Sequence, residues 1–166
     1  MISKPEKIIK RIIKAVGQRQ SVLVIGDWDQ SLIKGIRDNQ NTITIESSME
    51  NLEDNSFSRI VADYKSVLLN TMSFYKEARR LLLPTGMIII SANCELNIFE
   101  KLFNNKKEEN IKKIKPKVLQ DQIHDNGFLI DGYYGYPGGH LLMMAEIQNK
   151  DVTTLFTNEK QETIKT

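Results

Sequence analysis

A single cysteine, Cys94, stands in 166 residues, so the chain holds no internal disulfide and no multi-cysteine zinc or iron-sulfur site. Histidine is nearly as scarce. His124 and His140 lie far apart, and neither has a second histidine or a cysteine at ligand spacing, which argues against a metal centre. No apolar run approaches the length that spans a bilayer, and the opening MISKPEKIIKR has no apolar signal core. These absences lead us to expect a cytoplasmic protein. A strong charge bias is also lacking: the formal net charge is only +2, so overall charge names no partner. The length suits one domain with one sizeable core, and 40% hydrophobic with 27% charged residues is a globular composition.

What is present falls into alternating segments. KPEKIIKRIIKAVG sets Ile8, Ile9, Ile12, Ile13 and Val16 at helical spacing with lysines opposite, which predicts an amphipathic helix within residues 1–18 closed by Gly17. SVLVIG is a short β-branched run bounded by turn residues, as expected of a strand buried on both faces. DQSLIKGIRDN reads as a short helix, TITIES as a strand with two unlike faces, and FSRIVADY as another strand. SVLLNTMSFYKEARRLLL predicts one helix that stops at Pro84 and Gly86, and MIIISA a second fully buried strand. ELNIFEKLFN and KVLQDQIHDN read as helices. GFLIDGYYGYPGGHLLMMAEI reads as two strands joined by a Gly- and Pro-rich turn. Residues 1–150 then form one domain, and the polar tail 151–166 is expected to be poorly ordered.

Strands alternating with helices call for a mostly parallel sheet covered on both faces, a three-layer α/β architecture with an antiparallel hairpin at its end. The order VLVIG, MENLEDNSFSRIVADY, SFYKEARRLLLPTGMIIIS, a GF strand and PGGHLLMMAEI resembles the class I S-adenosylmethionine-dependent methyltransferase superfamily, in particular its type 11-like members, over roughly Ser21 to Ile147. The resemblance implies a Rossmann-like methyltransferase fold and S-adenosylmethionine as cofactor. It also implies a first strand ending in G-x-G-x-G, whose glycines let backbone approach the ligand.

Two departures bear on that cofactor. Gly26 keeps the first glycine position, but Trp28 takes the second and Gln30 the third, while Asp29 and Ser31 fit the turn; the resemblance makes Gly26, Asp27, Trp28 and Asp29 the candidate cofactor contacts of a degenerate loop. Only roughly 35 residues separate the first strand from FSRIVADY, and a βα unit needs about 20 or more, so one unit is missing. In the family an acidic residue ending the second strand holds the ribose. Glu46 is the one candidate, yet MENLEDNSF follows so closely that TITIES aligns better with the family's third strand, which would leave no ribose site. Shortened and altered in this way, the chain is similar to the amino-terminal domain of the anamorsin family, which implies a role in protein contacts. No cysteine follows Cys94, so the iron-sulfur chemistry of that family is not implied.

The resemblance places the methyl acceptor near Asp63 and Tyr64. Asp63 would serve as general base and Tyr64 as a stacking surface; the local alternative is an Asp that caps the next helix and a Tyr that covers the sheet. His140 follows PGG and can face the same cleft. Cys94 reads as a small apolar filler, and Tyr133, Tyr134 and Tyr136 as rings covering a glycine-rich turn or as a binding surface. There is no Asn-Pro-Pro-Tyr motif of the base-modifying methyltransferases. Lysines and arginines concentrate in residues 4–19 and 106–117, which fits either solvated faces or contact with nucleic acid. The reading favoured by the loop is a methyltransferase-like domain with a degenerate S-adenosylmethionine site, a pseudoenzyme used for protein binding or regulation, alone or as a homo-oligomer. An active methyltransferase on a small-molecule or protein acceptor and a nucleic-acid-associated accessory protein are the alternatives.

Overall fold

In the computed structural model, which describes residues 5–94 and 113–148, apolar rhythm and secondary structure agree for most of the chain. The elements are α1 (Glu6–Val16), β1 (Ser21–Ile25), α2 (Gln30–Asp38), β2 (Thr42–Glu46), β3 (Phe57–Asp63), α3 (Tyr64–Leu69), α4 (Thr71–Leu81), β4 (Leu82–Asn93), α5 (Pro116–Asp125), β5 (Phe128–Tyr136) and β6 (His140–Ile147). The helix expected at ELNIFEKLFN, the tail 151–166 and residues 106–112 of the second basic segment lie outside the described residues.

The strands form one sheet in the order β2-β1-β3-β4-β6-β5. β1 pairs in parallel with β2 and β3, and β3 in parallel with β4. β6 inserts between β4 and β5 and runs antiparallel to both, so it alone opposes the direction of the sheet. The continuous apolar runs are explained by burial on both faces. Leu23, Ile60, Ile88 and Ile90 pack toward α3, α4 and α5, while Val22, Val24, Val61 and Ile89 pack toward α1 and α2. On α1, Ile8, Ile12 and Val16 are fully buried, and each contributes about 1.5–3 kcal/mol over an exposed side chain. This is a Rossmann-like α/β sheet with helices on both faces.

Three expectations are corrected. The long helix over residues 66–83 is two helices: Asn70 leaves helical geometry at φ −157°, and its side chain accepts from the Ser73 amide at 3.2 Å, starting α4 afresh. The strand expected at MIIISA begins earlier, at Leu82. Pro84 and Gly86 lie within it, where the register jumps from Phe57↔Leu82 to Arg59↔Met87; proline is tolerated there because a bulge asks it for no ladder hydrogen bond. The third correction concerns TITIES. β2 pairs directly with β1, from Ser21↔Thr42 to Ile25↔Glu46, whereas a third strand of a doubly wound sheet (order 3-2-1-4-5-6) would stand one place further out. β2 is therefore the second strand, and the order β2-β1-β3-β4 is that sheet without its outermost strand.

Two of the sequence motifs hold each other. Arg80, in EARR, donates to the carbonyls of Met49 (3.0 Å) and Leu52 (2.7 Å), to Glu77 (2.8 Å) and to Asp54, the Asp of DNSF. The Asn55 and Ser56 amides in turn donate to the carbonyls of Arg80 and Leu81 at 3.0 and 2.9 Å. Arg80 thus closes the long loop that carries the chain from β2 across the sheet to β3. Replacing it (Arg80→Ala) should speed amide hydrogen exchange across residues 49–56 while leaving β1 and β3 protected. Equal loss of protection in all three regions would show that the loop has no separate clamp.

Candidate functional site

From β1 the chain moves outward through α2 to β2, then returns across the sheet to β3 on the other side of β1. At such a reversal the turns after the two inner strands part and leave a crevice outside their carboxyl ends, where doubly wound sheets bind ligands. Ile25 pairs with Ala62 at this point, so Gly26 and Asp63 follow side by side. The structure brings these two predicted residues together.

Gly26 has φ +105°, a conformation that glycine adopts without strain. A Cβ built on it would lie 2.3 Å from Asp63 Oδ2 and 2.8 Å from Ser66 Oγ. The space above this glycine is thus occupied by the protein's own carboxylate. Asp63 is held there because it is the N-cap of α3: its Oδ1 accepts from the Ser66 amide at 2.8 Å. Asp29 does the same for α2, accepting from the Ser31 amide at 2.7 Å, and that backbone hydrogen bond, helped by the Ser31 side chain, holds its carboxyl below the usual range.

Trp28 is 6% exposed and lies in the apolar layer formed with α1 and α2, against the Val22, Val24 and Leu32 cluster; its indole Nε1–H donates to the Ile25 carbonyl at 2.9 Å. Its ring folds back beneath the turn on one side of the sheet. Tyr64 goes to the other side. It is 5% exposed, packs in the layer of α3, α4 and α5, and donates to Gln122 Oε1 at 3.1 Å; burial raises its phenol pKa, with the Gln122 bond acting the other way.

Asp27 and Gln30 are exposed at the turn, and Glu46 is exposed at the end of β2, beside Ile25. With β2 as second strand, Glu46 stands where the resemblance puts the ribose-holding acid. On the far side of the crevice, His140 pairs with Asn93 at the end of β4, and the Cys94 amide donates to the Gly139 carbonyl at 2.5 Å. Cys94 itself is buried, and desolvation pushes its thiol up to about 11. His124 is exposed on α5, 3.8 Å from Asp125. Among the described residues no group of three or more His, Cys, Asp or Glu is placed to hold a metal ion. No described helix is long and apolar enough to cross a membrane.

The positions that sequence reasoning missed are Ser66 and Gln122. Both are ordinary polar helix residues, and no spacing or motif distinguishes them before the fold brings them to Asp63 and Tyr64.

Two outcomes follow from this packing. Trp28→Gly should cost about 3–5 kcal/mol in urea unfolding, the usual penalty for emptying a large aromatic from a core. A cost near zero would mean the ring is not a core element. At pH 8 the Cys94 thiol, neutral in the folded state, should react with iodoacetamide far more slowly than in urea, where its value returns toward 9.0. The sign for stability follows: the contribution from the neutral thiol is full below 9 and is lost as pH rises toward 11.

No family profile matches the chain, and no curated protein matches it. Solved structures do. An S-adenosylmethionine-dependent methyltransferase from Aquifex aeolicus aligns with a TM-score of 0.61 at 14% identity, covering 87% of this chain and 94% of that one. The 1,6-didemethyltoxoflavin-N1-methyltransferase of Burkholderia thailandensis, solved with 1,6-didemethyltoxoflavin and S-adenosylhomocysteine, aligns at 0.64 and 11% identity, over 87% of this chain and 78% of that one. The pyocyanin biosynthetic protein PhzM aligns at 0.64 and 12% identity over 84% of this chain, which spans only about half of that protein (54%). The crevice between β1 and β3, the direction of β6 and these likenesses agree: the chain has the fold of the class I S-adenosylmethionine-dependent methyltransferases.

Proposed function

We propose that this is a methyltransferase-like domain whose cofactor crevice has been given over to structure, and that it acts by binding, as a regulatory or scaffolding partner of another protein or of a second copy of itself. The observation that carries the reading is the Asp63 carboxylate seated against Gly26. In the family that glycine lets backbone approach the ligand. Here it admits a side chain, fixed by the helix cap it forms. The neighbouring candidates are likewise engaged: Asp29 in its cap, Trp28 in the α1/α2 layer, Tyr64 with Gln122.

The residues therefore do not fit the methionine end of S-adenosylmethionine. That end is a zwitterion beside a sulfonium, so charge alone does not turn it away; what opposes it is space, because the Asp63 carboxylate already fills the room beside Gly26 that an approaching ligand would need. An active methyltransferase on a small-molecule or protein acceptor is the second reading, favoured by one observation, the placement of Glu46 beside β1.

Titration calorimetry with S-adenosylmethionine and with S-adenosylhomocysteine separates the two. The binding-domain reading expects heats equal to buffer for both ligands up to millimolar concentration. Saturable micromolar binding that Glu46→Gln weakens would overturn it and establish the second.

A further inference from the structure

Exposed cations without an ion pair among the described residues lie on both helical layers, Lys65, Lys76 and Lys115 around α3–α5 and four on the α1/α2 layer, so the α1/α2 face is set apart by where its cations stand. Around the α3–α5 layer, Arg79 donates to the Gly127 carbonyl at 2.6 Å, Arg80 is bound by Glu77 and Asp54, and Lys117 meets Asp121 at 2.6 Å. On the α1/α2 layer, Lys10 pairs with Glu6 at 2.5 Å, but Lys7, Lys14, Lys34 and Arg37 are exposed and make no ion pair among the described residues. The crossing of the two helices lies beside two of these charges. A Cβ on Gly35 would lie 2.2 Å from Ile13 Cδ1, so α1 and α2 touch at that point, and Lys14 and Lys34 immediately adjoin it in sequence. Like charges gathered at a helix crossing repel one another, and a bound polyanion is what relieves that repulsion.

The second observation distinguishes among polyanions. Basic segments read along the chain carry no interleaved aromatics, but the fold supplies one from β5: the Arg11 guanidinium sits 3.7 Å from the centroid of the Tyr134 ring. An arginine held flat on an aromatic ring keeps its donors for phosphate and presents its plane for a base to stack on. A membrane surface fits less well, because Ile8, Ile12 and Val16 are already fully buried in the core and α1 has no apolar face left to insert.

We propose that the outer face of α1 and α2, with Arg11 on Tyr134 at its flank, binds single-stranded nucleic acid, Lys7, Lys14, Lys34 and Arg37 taking phosphates and Arg11 a base. This contact is sequence-tolerant, since charge and stacking read no base edges. It lies on a helical face and does not depend on whether the crevice holds a cofactor.

The test is fluorescence anisotropy of the full chain with a labelled oligouridine of about 15 nucleotides, long enough for one such site. Saturable binding is expected, weakening linearly in log salt. Lys7→Glu with Lys14→Glu and Lys34→Glu should flatten that slope by about 2, the share of three phosphates on a single strand. The triple Lys65→Glu, Lys76→Glu and Lys115→Glu, which makes the same net charge change elsewhere, should bind nearly as the native chain does. Arg11→Gln should weaken binding more than Lys10→Gln, although each removes one charge. Circular dichroism melts of all variants guard against unfolding. No binding at 50 mM salt, an equal loss in both triples, or equal effects of the Arg11 and Lys10 changes would each overturn the proposal. So would anionic vesicles binding as tightly as the oligonucleotide.

Discussion

Burial of β1, β3 and β4 on both faces is the constraint from which the rest of the structure follows. Strands with apolar side chains on each side need two helical layers, and the described residues supply five helices for them. On one face these are α1 and α2, and no crossover helix follows β2. Successive right-handed crossovers that move outward in one direction lie on the same face, so the lost helix would have continued the α1/α2 layer. Its absence is visible in β2, where Ile43 is only partly buried and Ile45 is 51% exposed, at the outer edge of that layer. In this setting Trp28 is material for a thin layer. The second glycine position of the turn has been given a side chain that folds down to join Val24 and Leu32 and returns its indole N–H to the end of β1.

The opposite layer is richer, and its order comes from polar ties as much as apolar contact. α4 sits between two of them. Arg80 reaches toward the loop before β3, and Arg79 reaches to the carbonyl of Gly127 and lies 5.9 Å from the Phe128 ring at the start of β5. Adjacent arginines on one helix thus fix the entrances of two strands that are far apart in sequence. This accounts physically for the association of DNSF, EARR and GF along the chain. They are three parts of one set of hydrogen bonds rather than three separate signatures, and none of them touches the crevice.

Much of the fold was legible because its determinants are local. SVLVI and MIIIS announce strands buried on both faces, and the lysine and isoleucine rhythm of α1 announces a helix lying on a core. The position of TITIES was not legible. A parallel strand is placed by hydrogen bonds to a partner brought back over a helix, and loop length says only that a unit is missing, not which one. The split of the α3–α4 segment at Asn70 is not legible because the apolar period runs through it, while the cap to Ser73 depends on a single side chain. At the candidate site, residue identities were readable but directions were not. Trp28 and Tyr64 lie at the carboxyl ends of β1 and β3 and turn into opposite layers, which no periodicity distinguishes.

Direction is what separates a crevice from a closed turn. A glycine at a strand end creates room, and sequence records the room without recording what enters it. At Gly26 the occupant is Asp63, placed by the requirement that α3 begin immediately after β3: with no loop residue between Asp63 and Tyr64, the cap has to be the last residue of the strand. The carboxylate therefore cannot leave Gly26 without uncapping α3, a loss of about 0.5–2 kcal/mol in comparable helices. The cap of α3 and the filling of the space above Gly26 are thus one feature, made by the same side chain.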